Sequence, residues 1–448
     1  MPDSKKTKAV IIGAGIFGMS TALWMLEDGG YDVVVLDKSG ILPAPDAAST
    51  GESQQGELFI IRAGDYADPD LARLAIDSVV LWRRPEWEGT YHESGVIALS
   101  APDNEAAHRF VSHAYRNCTS AGIKAELVPD ASAIKARFPA GTPTGSFGVR
   151  HGYSNPIGGW AEAGRAVEVG IKRIRLMGGV VRAGCEVIGL KKRAGGREVE
   201  AVILKGGEEV RADVVVSAAG AWTPALFASP GVSARLPPIQ ATGQSIATVQ
   251  LGPEETEIYS NVPVVFNLDD GFYVFPPNPN GLVKMAIHAA GFTNPIPVSS
   301  SQPVSVPRTK LTPGAEDGMI PLTMLHELRR GLSEVYPELA KKAFISTRLC
   351  WYCDTVSGDW LIDYHPDFDN LVLATGGSGH AFKYAPIIGR EILKVVRRNP
   401  SPEYAKRWSF GYDGGDAGAD VRIGTVKVLN VEDLAKAEDL AAPIAVAA

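Results

Sequence analysis

Ala9-Val-Ile-Ile12 is a short β-branched run, followed at once by Gly13-Ala-Gly15-Ile-Phe-Gly18 and then by an amphipathic stretch from Met19 to Glu27. A buried strand, a glycine turn and a helix in this order make the first half of a βαβ unit. In such a unit Gly13 allows the tight turn, Gly15 lets backbone approach a pyrophosphate, and Gly18 lets helix pack on strand. Gly29-Gly30 ends the helix, and Asp32-Val-Val-Val-Leu36 is a second buried strand. Asp37 closes it, where an acid accepts hydrogen bonds from ribose hydroxyls. A plain glycine turn leaves Asp37 unexplained, so the unit is expected to hold a dinucleotide with its phosphates at the helix N-terminus.

The far end of the chain decides between NAD and FAD. Asp213-Val-Val-Val-Ser-Ala-Ala-Gly220 and Asn370-Leu-Val-Leu-Ala-Thr-Gly-Gly377 are both apolar strands ending in glycine turns. Gly376-Gly-Ser-Gly379 is expected to open a helix from about 383 to 397, whose free N–H groups favour an electron-rich ring. One NAD fingerprint needs no such late turns, whereas a flavin lying across a domain junction does.

At 448 residues the chain is too long for one core. A helix over Trp160–Met177 and a strand over Val180–Ile188 belong with the nucleotide unit. Gln244–Val249, Gly271–Phe275, Leu282–His288 and Phe344–Tyr352 are alternating or aromatic strands. The expected fold class is therefore α/β plus antiparallel β. A Rossmann-like FAD-binding domain is drawn from residues 8–85, 155–235 and 350–400. A β-rich substrate domain interleaves with it at 86–154 and 236–349, and residues 401–448 form a tail packing on the surface.

Charge and cysteine content narrow the class further. Lys plus Arg number 44 against 51 Asp plus Glu, a formal charge of −7, which suits no nucleic-acid partner. Glycines interrupt the apolar run after Lys8, no stretch approaches a membrane span, and the final residues are not a peroxisomal Ser-Lys-Leu address. With only four cysteines, a disulfide scaffold is excluded. These features lead us to expect a cytoplasmic protein with no membrane partner, and we expect a monomer.

The Gly13 fingerprint, Ala218-Ala-Gly-Ala-Trp222, Leu349-Cys-Trp-Tyr-Cys-Asp-Thr355 and Gly376-Gly-Ser-Gly-His-Ala-Phe-Lys383 together resemble the sarcosine oxidase family over roughly residues 8–398. This family of FAD amine oxidases includes pipecolate oxidases, saccharopine oxidases and fructosyl-amino-acid oxidases (amadoriases). The resemblance implies a fold of the glutathione-reductase/D-amino-acid-oxidase type. It also implies FAD contacts from Gly13, Gly15, Ile16, Phe17, Gly18, Asp37, Lys38, Ser49, Val187, Ala219, Gly220 and Trp222, and again from Gly377, Gly379, His380, Phe382 and Lys383. It further implies a thioether from the flavin to Cys350.

Cys350 and Cys353 form a CxxC, which also suits zinc or thiol exchange. On a strand, however, residues three apart face opposite sides, and no second CxxC completes a metal site; inert burial is the other alternative. No His spacing elsewhere makes a metal site.

Lys284 and His288 alternate with Val283, Met285 and Ile287, so one face of their strand is apolar and the other carries an ammonium and an imidazole. A solvent-facing edge strand has the same pattern. By resemblance, Lys284 promotes the reaction of reduced flavin with O2, where a cation stabilises developing negative charge. His288 and Tyr273 match positions lining the substrate side, although Tyr273 on an aromatic strand is equally a core residue. Arg62 and Lys383 match positions that clamp a substrate carboxylate, Arg as a planar fork and Lys as a point charge; both also suit a surface.

Two positions depart from the pattern. Phe59 stands where simple sarcosine oxidases carry a second arginine and amadoriases a lysine, and His288 stands where amadoriases carry an acid. The loop Gly51–Glu57 is longer than usual. The resemblance thus implies an FAD-dependent oxidase of N-substituted or cyclic amino acids, using O2 and giving an imine and hydrogen peroxide. The alternatives are an amadoriase, or an FAD dehydrogenase with another electron acceptor.

Overall fold

The computed structural model describes residues 5–47, 58–298, 302–414, 422 and 424–442. A six-stranded sheet forms the nucleotide half, in the order Leu361–Tyr364, Leu371–Thr375, Val214–Ser217, Thr7–Ile12, Tyr31–Leu36, Val180–Arg182. All neighbours pair in parallel except the Leu361–Tyr364 edge. The strand Thr7–Ile12 leads into the helix Ile16–Asp28, which Gly29 stops in the left-handed conformation at φ 80°. Both faces of the sheet are covered, so its strands are continuously apolar rather than alternating.

The second half is a ten-stranded, mostly antiparallel sheet. Its long strand Ile239–Gln250 pairs with Leu282–Ile287 on one side and Ser346–Thr355 on the other. Leu282–Ile287 also pairs with Phe272–Val274, so it is an interior strand and not an edge. A helix, Leu322–Val335, covers one face through Leu325, Leu328 and Leu332. The chain therefore combines a Rossmann-like α/β half with an interleaved antiparallel β half.

Several local expectations shift, each for a physical reason. The boundary at 350 falls inside Ser346–Thr355, a strand that belongs wholly to the ten-stranded sheet. Residues 159–162 are not the start of a helix: they pair as a strand with Leu58–Ile61 and Tyr91–His92, and the helix begins at Ala163. Gly184, at φ 67°, breaks the expected Val180–Ile188 strand into Val180–Arg182 and Val187–Lys192. The tail is more than a surface layer. Tyr404 and Trp408 are buried, Trp408 packs on Trp360, and Lys427–Val428 joins the ten-stranded sheet. Arg422 reaches inward to pair with buried Asp354 at 2.7 Å.

Candidate active site

A cavity of about 390 Å³ opens at the carboxyl ends of the parallel strands, the place where open α/β sheets bind ligands. Gly13, Gly15, Ile16, Phe17, Asp37 and Lys38 form one wall. Val187, Ala219, Gly220 and Trp222 form another, and Gly377, Gly379 and Phe382 close the end. Two glycines of the fingerprint are dictated by packing. A Cβ on Gly13 would stand 2.4 Å from the Ala218 carbonyl oxygen, and one on Gly18 would stand 1.9 Å from the Gly13 oxygen. Gly18 thus sets the helix against the strand and does not line the cavity. Gly15 differs: a Cβ there would meet no protein atom within 4 Å, and its backbone borders the cavity.

The Asp37 carboxylate accepts hydrogen bonds from the Ala14 and Ser39 N–H groups at 2.8 and 2.9 Å. Burial raises its pKa, and those two bonds oppose the rise. It therefore shapes the glycine turn while remaining in the cavity wall. Lys38 lies 3.9 Å from the Trp222 ring centroid and pairs with Asp46 at 3.7 Å. Ser49 and the Gly51–Glu57 loop lie outside the described residues.

A second, smaller cavity adjoins the first. Phe59, Tyr352, Gly379 and Phe382 line both. Arg62, Tyr273, His288, His380 and Lys383 line only the second, together with Phe266 and Ile60. Arg62 and Lys383 are therefore brought to one cavity and not to the surface. Lys383 is 4% exposed; its Nζ donates to the Tyr66 hydroxyl at 2.6 Å and to the His380 carbonyl at 2.7 Å. Burial, reinforced by Arg62 and opposed by Asp65, pulls its pKa well below the usual lysine value. Burial acts the same way on Arg62, but Tyr66 and Asp65 outweigh it and hold the guanidinium charged.

Lys383 does not sit at a helix N-terminus. The Gly376–Gly379 turn leads into a short 3₁₀ turn, Phe382–Tyr384, and the helix starts only at Ile388. The N–H groups expected to face a ring from a helix start are turn groups instead.

Lys284 is buried at 3% exposure and lines neither cavity. Its Nζ donates to the Leu58 carbonyl at 2.6 Å and lies 4.5 Å from the Phe59 ring centroid. Strand register explains which side chains share its face. Thr248 pairs with Lys284, Ile246 with Ala286, and Gln244 with Cys350. Tyr273 pairs with Ala286 in turn. By the two-residue period, Lys284, Ala286, Tyr273, Cys350 and Tyr352 project to one side of the sheet. Tyr273, Ala286, Cys350 and Tyr352 pack in one cluster there.

Cys353 faces the opposite way from Cys350. Its thiol is 3.3 Å from the Thr375 hydroxyl and lines the larger cavity, which Cys350 does not. Burial pushes the Cys353 pKa up to about 12. Among the described residues no cluster of three His, Cys, Asp or Glu side chains is placed to hold a metal ion, and no helix is long and apolar enough to cross a membrane.

The site also contains residues not expected there: Tyr66, Phe266, Tyr352, Trp351 and Cys353. The last three stand in the quoted Leu349–Thr355 segment, so their proximity to Cys350 was a usable signal. Tyr66 follows Arg62 by one short turn and carried none.

The glycine-shaped cavity with Asp37 in its wall fits a dinucleotide, and the sequence pattern named FAD dependent oxidoreductase matches residues 8–394. The chain belongs to this FAD-dependent oxidoreductase family. It is 29% identical over 425 residues to the L-saccharopine oxidase of Schizosaccharomyces pombe, covering 90% of this chain and 93% of that protein. It is 24% identical to the peroxisomal sarcosine oxidase of Homo sapiens, covering 88% and 93%. The solved structure of fructosyl peptide oxidase from E. terrenum superposes with a TM-score of 0.82 at 26% identity, covering 96% of this chain and 97% of that one. The protein is thus an FAD-dependent oxidoreductase among relatives named as amine and amino acid oxidases.

Proposed function

We propose that the protein oxidises secondary amines of N-substituted or cyclic α-amino acids, passing electrons to O2 and releasing an imine and hydrogen peroxide. One observation carries the reading: Arg62 and Lys383, distant in sequence, line one cavity that shares Phe59, Tyr352, Gly379 and Phe382 with the larger, glycine-walled cavity. FAD, when bound in the larger cavity, supplies the two-electron acceptor for the carbon–nitrogen bond. Arg62 and Lys383 hold the substrate carboxylate, and Tyr273, His288 and Phe59 border the rest of the substrate. Lys284 holds positive charge behind the Phe59 ring, where it stabilises negative charge developing on oxygen.

The tether proposed for FAD is a thioether to Cys350, supported by its place on the Lys284 face of the sheet. The proposal extends to a monomer in the cytoplasm, a reducing compartment that suits a chain whose four cysteines form no disulfide. The fold likeness to fructosyl peptide oxidase favours a fructosyl amino acid as second substrate class. Against it stands His288, which the resemblance puts where amadoriases carry an acid.

Oxygen-electrode assays with saccharopine, pipecolate, sarcosine and fructosyl-valine test the proposal. Peroxide from one of the first three, at a kcat/KM well above fructosyl-valine, is expected; fast dye reduction with negligible oxygen uptake would make the enzyme a dehydrogenase.

A further inference from the structure

Tyr66 stands beneath both cations of the second cavity without lining it. The centroid of its ring lies 4.8 Å from Arg62 Cζ and 4.9 Å from Lys383 Nζ. Its hydroxyl accepts from Lys383 at 2.6 Å and meets His380 Nδ1 at 3.1 Å, while His380 Nε2 lies 2.9 Å from the Gly358 carbonyl. A carbonyl can only accept, so Nε2 carries a proton, and in the neutral ring Nδ1 takes the Tyr66 proton. An ammonium can only donate. The chain therefore runs one way, from Lys383 through Tyr66 and His380 to Gly358. His380 is held in place by stacking on Trp360, 5.4 Å between centroids. With a second N–H given to the His380 carbonyl, Lys383 keeps one hydrogen for a ligand.

We propose that Tyr66 is the positioning residue of an anion clamp: its hydroxyl, backed by His380, keeps Lys383 protonated and aimed, beside Arg62, at a carboxylate in the second cavity. This rests on the carboxylate role proposed above. The groups facing Lys383 are Arg62, Asp65 and Tyr66 from the segment after Leu58–Ile61, and His380 and Tyr384 from its own segment, with Tyr273 and His288 across the cavity. Burial and Arg62 both work to discharge the ammonium. A lone pair from Tyr66 works against them, because a hydrogen bond to the charged form favours it.

Tyr66→Phe keeps the ring under both cations and deletes only the hydroxyl. The holoenzyme is titrated with acetate, and binding is followed through the visible flavin spectrum across pH. The acetate Kd and the KM for amino acid substrates are expected to rise about tenfold, as for loss of one hydrogen bond to a charged group, with kcat changed less than about twofold. The loss of acetate binding at alkaline pH is expected to move to lower pH, which a purely structural role would not produce. Should the variant not retain flavin, His380→Asn, which removes the imidazole behind the Tyr66 hydroxyl, is expected to move the same limb in the same direction. Unchanged acetate affinity and an unmoved limb overturn the role of Tyr66 while leaving the clamp intact. Failure of the wild-type enzyme to bind acetate at all overturns the clamp and this inference together.

Discussion

The ammonium of Lys284 lies 4.5 Å from the centroid of the Phe59 ring, and that ring stacks on Phe382 at 4.8 Å. A buried cation is thus one aromatic ring away from both cavities, because Phe59 lines each of them. Burying a charge is costly unless it is bonded, and the Leu58 carbonyl offsets part of that cost. The sheet holds the cation where its field reaches the shared wall.

Lys284→Met keeps the side-chain volume and removes the charge. Oxygen consumption is expected to fall by about 10²-fold or more, the usual size for a lost stabilising group. Anaerobic bleaching of the flavin by substrate should change far less. Equal loss in both half-reactions would assign Lys284 to substrate binding or folding instead.

Cys350 and Cys353 make opposing claims on the flavin. Cys350 shares the Lys284 face, whereas Cys353 lines the cavity. We expect acid-denatured wild-type enzyme and Cys353→Ser to retain flavin on the peptide containing Cys350, and Cys350→Ser to release it freely. Mass mapping of the flavin peptide decides this, and a Cys353 adduct would reverse the assignment.

Gly18→Ala places a methyl 1.9 Å from the Gly13 carbonyl oxygen, a backbone atom that no rotamer change can move. The expected cost is about 3 kcal/mol, the upper end for overpacking. A lower thermal midpoint and weaker flavin retention should appear together. Gly15→Ala, with open space above it, should hold its melting temperature and lose mainly cofactor affinity.

Much of this was legible in the sequence where the determinants are local. Gly13 to Asp37 could be read because each residue answers to a turn, a helix start or a strand next to it. Features set by distant contacts were not. Tyr66 and Lys383 are 317 residues apart, and only the folded chain joins them. The alternation around Lys284 suggested one open face, yet the whole strand is buried, with the Leu58 carbonyl and the Phe59 ring against the Lys284 ammonium. The final helix begins only at Ile388, two residues after Pro386, whose ring nitrogen has no N–H to donate into a helical ladder. Residues 159–162 are helix-competent, but their pairing with two other strands overrides propensity.

The pH dependence follows from two groups of opposite sense. A bound secondary amine must lose its proton before its lone pair can assist C–H cleavage, so kcat/KM is expected to rise with pH. Lys383, whose pKa burial pulls well below the free lysine value of 10.5, loses its charge at a lower pH than a surface lysine, so kcat/KM should fall again on the alkaline side. A flat profile between about pH 6 and 9 contradicts the amine ionisation.

The most direct test of the whole account is anaerobic mixing of the holoenzyme with an N-substituted or cyclic α-amino acid, with its methyl ester as control, while the visible flavin absorption is recorded. The acid is expected to bleach the flavin and the ester to do so about 10²-fold less efficiently, and Arg62→Ala to erase this preference, as for a lost bidentate carboxylate contact. Equal bleaching by acid and ester in the wild-type enzyme, or none by any secondary amino acid, would contradict it.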